Sequence, residues 1–185
     1  MRGEIREVVE RLAGCLPVRD PVVEIGSNWS SQGNFADLRP CFPGRPYIGV
    51  DMRGGPGVDL VATLPVLPMA AGSVGTVVMV DTLEHVEFLR DSIEEIRRVL
   101  SDDGFLILTS VFAFPIHSYP DDFWRFTGSA FKSLLWKFSS AIVKEVGNAV
   151  APHTVIGVAS KNGGMPAEID GVLSRWKAEW EKGGT

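Results

Sequence analysis

The chain has 185 residues, 45% of them hydrophobic and 22% charged, with a net charge of -5. That is enough for one domain with a sizeable core, and the acidic balance, with a pI near 5.2, argues against a broad basic face for nucleic acid. No apolar run approaches the roughly 20 residues of a membrane span, and the charged, amphipathic N-terminus lacks the apolar core of a signal peptide.

Cys15 and Cys41 make neither a disulfide framework nor a metal cluster, so two free thiols in a reducing cytoplasm are expected. Ile5, Val8, Val9 and Leu12 recur at helical spacing, which predicts a leading helix within residues 1–16. Residues 22–26 read as a first strand, apolar on both faces as a strand covered by helices should be. A short helix over 34–38 is expected to stop before Pro40. The second strand, 47–51, ends in Asp51, and a third is expected at 58–62.

Pro65 and Pro68 exclude a helix interior from the next segment. The fourth strand, 75–80, ends in Asp81. A helix then carries Leu89, Ile93, Ile96 and Leu100 on one face, and residues 101–104 turn into the fifth strand, 105–111. A long aromatic loop, 112–126, precedes a helix that Thr127 is placed to cap. Two more strands are expected at 141–146 and 154–159, with His153 ending the turn between them. Pro166 suits the first turn of a final helix, 166–182, with Ile169, Leu173, Trp176 and Trp180 on one stripe.

These elements predict a single domain over 1–185 with its core in 22–161. The fold class is α/β: a Rossmann-like three-layer sandwich with a mostly parallel seven-stranded sheet. Residues 147–153 are too few for the crossover that parallel neighbours need, so the last two strands are expected to pair antiparallel. A nicotinamide-binding sheet would continue strand, helix, strand.

An acid at the tip of the second strand of a nucleotide-binding unit is placed to hydrogen-bond a ribose diol. Asp51 is that acid, and Gly26, with no Cβ, lets the backbone approach a ligand closely. The first loop lacks the middle glycine of a dinucleotide fingerprint and the Gly-Lys-Ser/Thr ending of a Walker loop, so it does not look built for a pyrophosphate. The histidines and cysteines show no HExxH or CxxC spacing, and no metal site is expected.

Val-Val-Glu-Ile-Gly-Ser (22–27), Tyr-Ile-Gly-Val-Asp (47–51), Asp-Thr-Leu-Glu-His-Val (81–86) and Asp-Gly-Phe-Leu-Ile-Leu (103–108) together resemble the successive motifs of class I S-adenosylmethionine (SAM)-dependent methyltransferases. The group most similar is the small bacterial one called methyltransferase type 11, and the resemblance runs from about residue 22 to 161. It implies SAM as cofactor. Asn28 stands where a second glycine is usual, and Thr63 where an acid often meets the adenine.

The resemblance further implies that Glu24 orients the first loop, that Ser27 and Asn28 lie at the carboxylate end of the cofactor, and that Met52 packs on the adenine. Thr63 and Leu64 would lie beside the adenine, and Asp81 with Thr82 would face the methionine moiety. His117 and His85 are the candidate proton acceptors, each with a plain structural role as the alternative. Tyr119, Asp121, Asp122, Trp124 and Arg125 either line the acceptor site or form a self-packed lid with an aspartate–arginine pair. The acceptor is expected to be a small molecule or a glycan or lipid-linked sugar, and a homodimer is among the states the sequence allows. A catalytically silent SAM-binding or scaffolding protein and an NAD(P)-dependent reductase are the rival readings.

Overall fold

The computed structural model describes residues 3–28, 37–117 and 120–183. The expected short helix at 34–38 falls mostly outside them, and a single 3-10 turn, Arg39–Cys41, follows it. Helix α1 spans Gly3–Cys15, strand β1 Val22–Ile25, β2 Tyr47–Asp51, β3 Leu60–Val61 and β4 Val74–Met79. A 3-10 turn at Leu83–His85 leads to helix α2, Leu89–Val99, and directly into β5, Leu100–Val111. Helix α3, Gly128–Leu134, precedes β6, Ser140–Gly147, β7, Pro152–Ser160, and helix α4, Glu168–Gly183.

The sheet has seven strands in the order β3-β2-β1-β4-β5-β7-β6. The pairs from β3 to β5 are parallel, while β7 runs antiparallel to both β5 and β6. The hairpin expected from the short 147–153 gap is present, with β7 inserted between its partner and β5. His153, expected in the turn, lies instead in β7, because Pro152 already pairs with Gly147.

Side chains alternate across the central strands with the two-residue period of a strand. Val22, Val78, Phe105 and Ile107 pack with Ile5, Val8, Val9 and Leu12 of α1 and Ile169, Leu173 and Trp176 of α4. Val23, Ile25, Val77, Met79, Leu106 and Leu108 pack on the opposite face with Ile93, Ile96 and Val99 of α2 and Phe131 of α3. The result is helix, sheet, helix in three layers.

Several boundaries differ from the expectation by one or two residues, among them α4, which starts at Glu168 and leaves Pro166 outside it, and two differences bear on the sheet. β5 begins at Leu100 and not at Phe105, because Val74 pairs with Leu100 before a bulge resets the register to Thr76–Phe105. The polar Ser101–Asp102–Asp103–Gly104 run, which reads as a turn, is absorbed by that bulge. β3 is only Leu60–Val61, paired to the tip of β2 through Val50–Leu60 and Asp51–Val61. Thr127 caps α3 as expected, its hydroxyl accepting from the Ala130 amide at 3.1 Å.

Trp176 is 1% exposed and donates its indole N–H to the Glu4 carbonyl, tying α4 to α1. Trp176→Ala should therefore cost roughly 3–5 kcal/mol in urea unfolding; a loss below about 1 kcal/mol would contradict this packing. Glu24 faces the same layer, buried in β1, and accepts from the Tyr47 hydroxyl at 2.8 Å. Burial pushes its carboxyl from 4.5 up to about 7, against the pull of the Tyr47 hydrogen bond. The folded chain thus holds this proton more tightly than the unfolded one. The associated stability is complete below pH 4.5 and is lost as pH rises to about 7, by on the order of 3 kcal/mol. Glu24→Gln keeps an acceptor for Tyr47 and should remove this slope, read as the difference between variant and parent melts across the window.

Candidate active site

A cavity of about 560 Å³ opens beyond the carboxyl ends of β1, β2 and β4. In an open α/β sheet, ligands bind where the strand order reverses. Here that point lies between β1 and β4, since the chain runs outward to β2 and β3 and then returns to the far side of β1. The volume lies within the roughly 300–1,000 Å³ usual for a small-molecule site.

One end of the cavity is built by the tips of β1 and β2. The Gly26 amide donates to the Val50 carbonyl at 2.8 Å, and the Ser27 amide donates to the same oxygen at 3.1 Å. Gly26 has φ +84, and a Cβ there would sit 2.1 Å from the Thr82 hydroxyl. Only glycine satisfies both demands. The Asp51 carboxylate accepts from the Asn28 amide at 3.3 Å and the Arg53 amide at 3.0 Å. Met52, Thr63 and Leu64 complete that end, which is polar beside Asp51 and apolar beside Leu64.

The middle is formed by the end of β4. Asp81 takes a left-handed backbone, φ 43, a conformation that costs a non-glycine residue energy and that aspartate tolerates better than most. Its carboxylate accepts from the Thr109 hydroxyl at 3.0 Å, and its amide donates to the Thr109 carbonyl at 3.1 Å. Asp81, Thr82, Glu84 and His85 all line the cavity.

The far end is closed by the aromatic loop, which is fastened to the Leu83–His85 turn. The Phe123 amide donates to the Glu84 carbonyl at 2.9 Å, and the Trp124 indole donates to the Val86 carbonyl at 2.9 Å. Arg125 pairs with Asp122 at 2.5 Å and donates to the Phe114 and Pro115 carbonyls. The Arg125 guanidinium holds the Asp122 carboxyl well below the usual carboxylate range. The Asp122 carboxylate in turn accepts from the His117 amide at 2.7 Å. His117 is thereby brought edge-on to His85, ring centroids 4.9 Å apart.

Nδ1 of His85 lies 2.5 Å from the Asp121 carbonyl, and Nδ1 of His117 lies 3.1 Å from the Pro115 carbonyl. A carbonyl oxygen only accepts, so each Nδ1 carries a proton and each Nε2 is left as the basic nitrogen. Burial lowers the pKa of His85, partly offset by its bond to Asp121. Glu84 is fully buried; one carboxylate oxygen accepts from the Ser110 hydroxyl at 2.6 Å and the other has no partner among the described residues. Burial, reinforced by the nearby Asp81 carboxylate, raises its pKa.

Of the residues singled out in the sequence, the cavity gathers Gly26, Asn28, Asp51, Met52, Thr63, Leu64, Asp81, Thr82, His85, His117 and Asp121. Glu24 and Ser27 lie beneath it, Glu24 on Tyr47 and Ser27 buried against Gly49. Asp122, Trp124 and Arg125 hold the loop in the self-packed arrangement, with the aspartate–arginine pair, and do not line the cavity. Tyr119 lies outside the described residues. Glu84, Phe88, Phe114 and Phe123 line the cavity without having been singled out. The one available signal for Glu84 was an acid directly beside His85 in a segment that ends a buried strand.

Residues 50–108 match the family model of a methyltransferase domain. No curated protein matches the chain in sequence. Among solved structures, the SAM-dependent methyltransferase TM1293 from Thermotoga maritima shares 18% identity at a TM-score of 0.59, over 84% of this chain and 89% of that one. The 1,6-didemethyltoxoflavin-N1-methyltransferase of Burkholderia thailandensis, solved with S-adenosylhomocysteine, shares 16% identity at a TM-score of 0.63, over 88% and 80%. A chain from the Haloferax volcanii complex of the Trm112 methyltransferase activator with a methyltransferase shares 15% at a TM-score of 0.64, over 86% and 91%. At these identities the likeness is one of fold. The matched segment is similar to a methyltransferase domain, and the seven-stranded fold is similar to that of these SAM-dependent methyltransferases of known structure.

Proposed function

We propose that the cavity holds SAM across the tips of β1, β2 and β4 and that the methyl acceptor enters from the aromatic end. The observation that carries this reading is the continuity of one cavity from Asp51 and Gly26 to His85 and His117. The residues present fit the cofactor: the Gly26 cradle is one that a Cβ would fill, and Asp51 presents a carboxylate beside it. Asp51 binds the ribose hydroxyls, Met52 and Leu64 cover the adenine, Thr63 meets its edge, and Asn28, Asp81 and Thr82 hold the amino-acid end. Glu24 and Ser27 support the loop from below.

When bound, SAM supplies an electrophilic methyl group on a sulfonium. The protein's own contribution is to position the acceptor and take its proton, since alignment at contact distance lowers the barrier without activating the leaving thioether. Val86, Phe88, Phe114 and Phe123 give the acceptor end an apolar face beside its histidines and acids. They favour a small molecule, or the end of a glycan or lipid-linked acceptor, with an apolar body and one ionisable O–H or N–H. His117 and His85 present their basic Nε2 atoms at that end, the arrangement a general base needs near neutral pH. Asp122 and Arg125 act through His117 by fixing its loop, and Trp124 does the same through Val86.

Asp51→Ala should weaken S-adenosylhomocysteine binding by roughly 1–3 kcal/mol in calorimetry, the range for leaving a polar partner unmet. Unchanged affinity would remove Asp51 from the site. Incubation with methyl-labelled SAM and cell extract should label a small-molecule or glycolipid fraction. Tight cofactor binding with no labelled product would favour a silent SAM-binding protein instead.

A further inference from the structure

Glu84, His85 and His117 each offer a ligand atom within 4.8 Å of the other two. We propose that they form a binding site for one first-row divalent cation of the Zn²⁺ or Fe²⁺ class, at the acceptor end of the cavity. Two histidines and one carboxylate, with positions left open, are the donor set such cations take when a further ligand must bind.

Three independent features converge on this site. The first is the histidine tautomers. A metal-bound histidine donates its other ring N–H to a carbonyl or carboxylate, which fixes the ring and its free nitrogen. Both rings already do so: His85 Nδ1 meets the Asp121 carbonyl at 2.5 Å, and His117 Nδ1 meets the Pro115 carbonyl at 3.1 Å with the Asp122 carboxylate at 3.3 Å. The second is Glu84. Its side chain is 0% exposed, yet one carboxylate oxygen has no hydrogen-bond partner among the described residues. A buried carboxylate oxygen without a partner carries a desolvation cost that a bound cation removes. The third is rigidity. The aromatic loop is hydrogen-bonded to the Glu84 carbonyl through the Phe123 and Trp124 amides, so the two ligand-bearing segments are held together before any cation arrives.

Bonds of about 2.0–2.2 Å to nitrogen and oxygen require the three atoms to close from their present separations. His117, whose side chain is 36% exposed where that of Glu84 is buried, is the ligand that would make that movement. The open positions of the cation face the cavity lined by Phe114 and Phe123, where an oxygen donor of the acceptor would complete the coordination. This last clause rests on the acceptor-end reading above. With a cation bound, the histidines serve as ligands, and the acceptor's proton leaves to solvent.

Chelator-treated protein titrated with Co²⁺, followed by its visible absorption and by equilibrium dialysis, is expected to bind one equivalent that Zn²⁺ displaces. His117→Ala should weaken binding by more than about 100-fold, beyond the 10–100-fold typical of losing only an outer partner. Glu84→Gln should do the same if it folds, and the partly exposed position of His117 keeps the test independent of that condition. Asp51→Ala is expected to lose S-adenosylhomocysteine affinity and keep Co²⁺ binding, so the cofactor reading and the cation reading fail separately. Absence of bound Co²⁺, equal binding by His117→Ala, or a cobalt–thiolate band from Cys15 or Cys41 would overturn the proposal and return the histidines to the role of base.

Discussion

The site depends on a close approach between the ends of β1 and β4 that no side chain at Gly26 could survive. Thr82 occupies the space a Cβ would take, and the Gly26 amide is spent on the Val50 carbonyl of the neighbouring strand. Gly49 makes the same demand from β2, since a Cβ there would lie 1.9 Å from the Gly57 carbonyl. These missing atoms let three strand tips converge on one wall. The convergence, more than any single functional group, sets Asp51, Asn28, Asp81 and Thr82 around one volume.

The opposite end is governed by a different device. The two ends of the aromatic loop are tied to the sheet, Phe112 and Ala113 to β7 and Phe126 to β5, but its middle is held by its own ion pair, Asp122–Arg125, and by backbone bonds to the turn after β4. An ion pair with its carboxylate side chain 2% exposed gains from low solvent screening, and Asp122 uses a further oxygen contact to orient His117. The cavity is therefore polar where strand tips meet and aromatic where the loop covers it. Such an asymmetry is what the proposed division between a cofactor end and an acceptor end rests on. Glu84 breaks that division: it is an acid placed at the aromatic end, buried, and only half satisfied. Native proteins rarely keep such a group without a use for it.

Much of the fold was legible in local patterns. Ile5, Val8, Val9 and Leu12 marked α1 by spacing alone, and all four are fully buried. Thr127 announced a helix cap that its hydroxyl makes. The shortness of 147–153 implied an antiparallel pair, because a chain that short cannot cross over. The Ser101–Gly104 run misled for a physical reason: its residues favour a turn, but pairing of Leu100 with Val74 overrides that preference through a bulge. Asp122, Trp124 and Arg125 read equally well as site or scaffold, because an ion pair within one loop and a contact to an acceptor use the same residue types.

By itself the sequence determined most of the strands and helices, which strand tips carry acids, and where a glycine permits close approach. All of these are properties of neighbours along the chain. Only the tertiary structure decided that residues 84, 85 and 117 share one corner of the cavity and that Ser27 and Glu24 lie beneath it. Those placements follow from β5 lying beside β4 and from a loop folding back across the turn between them. That is a consequence of sheet order and long-range hydrogen bonds, which no local spacing encodes.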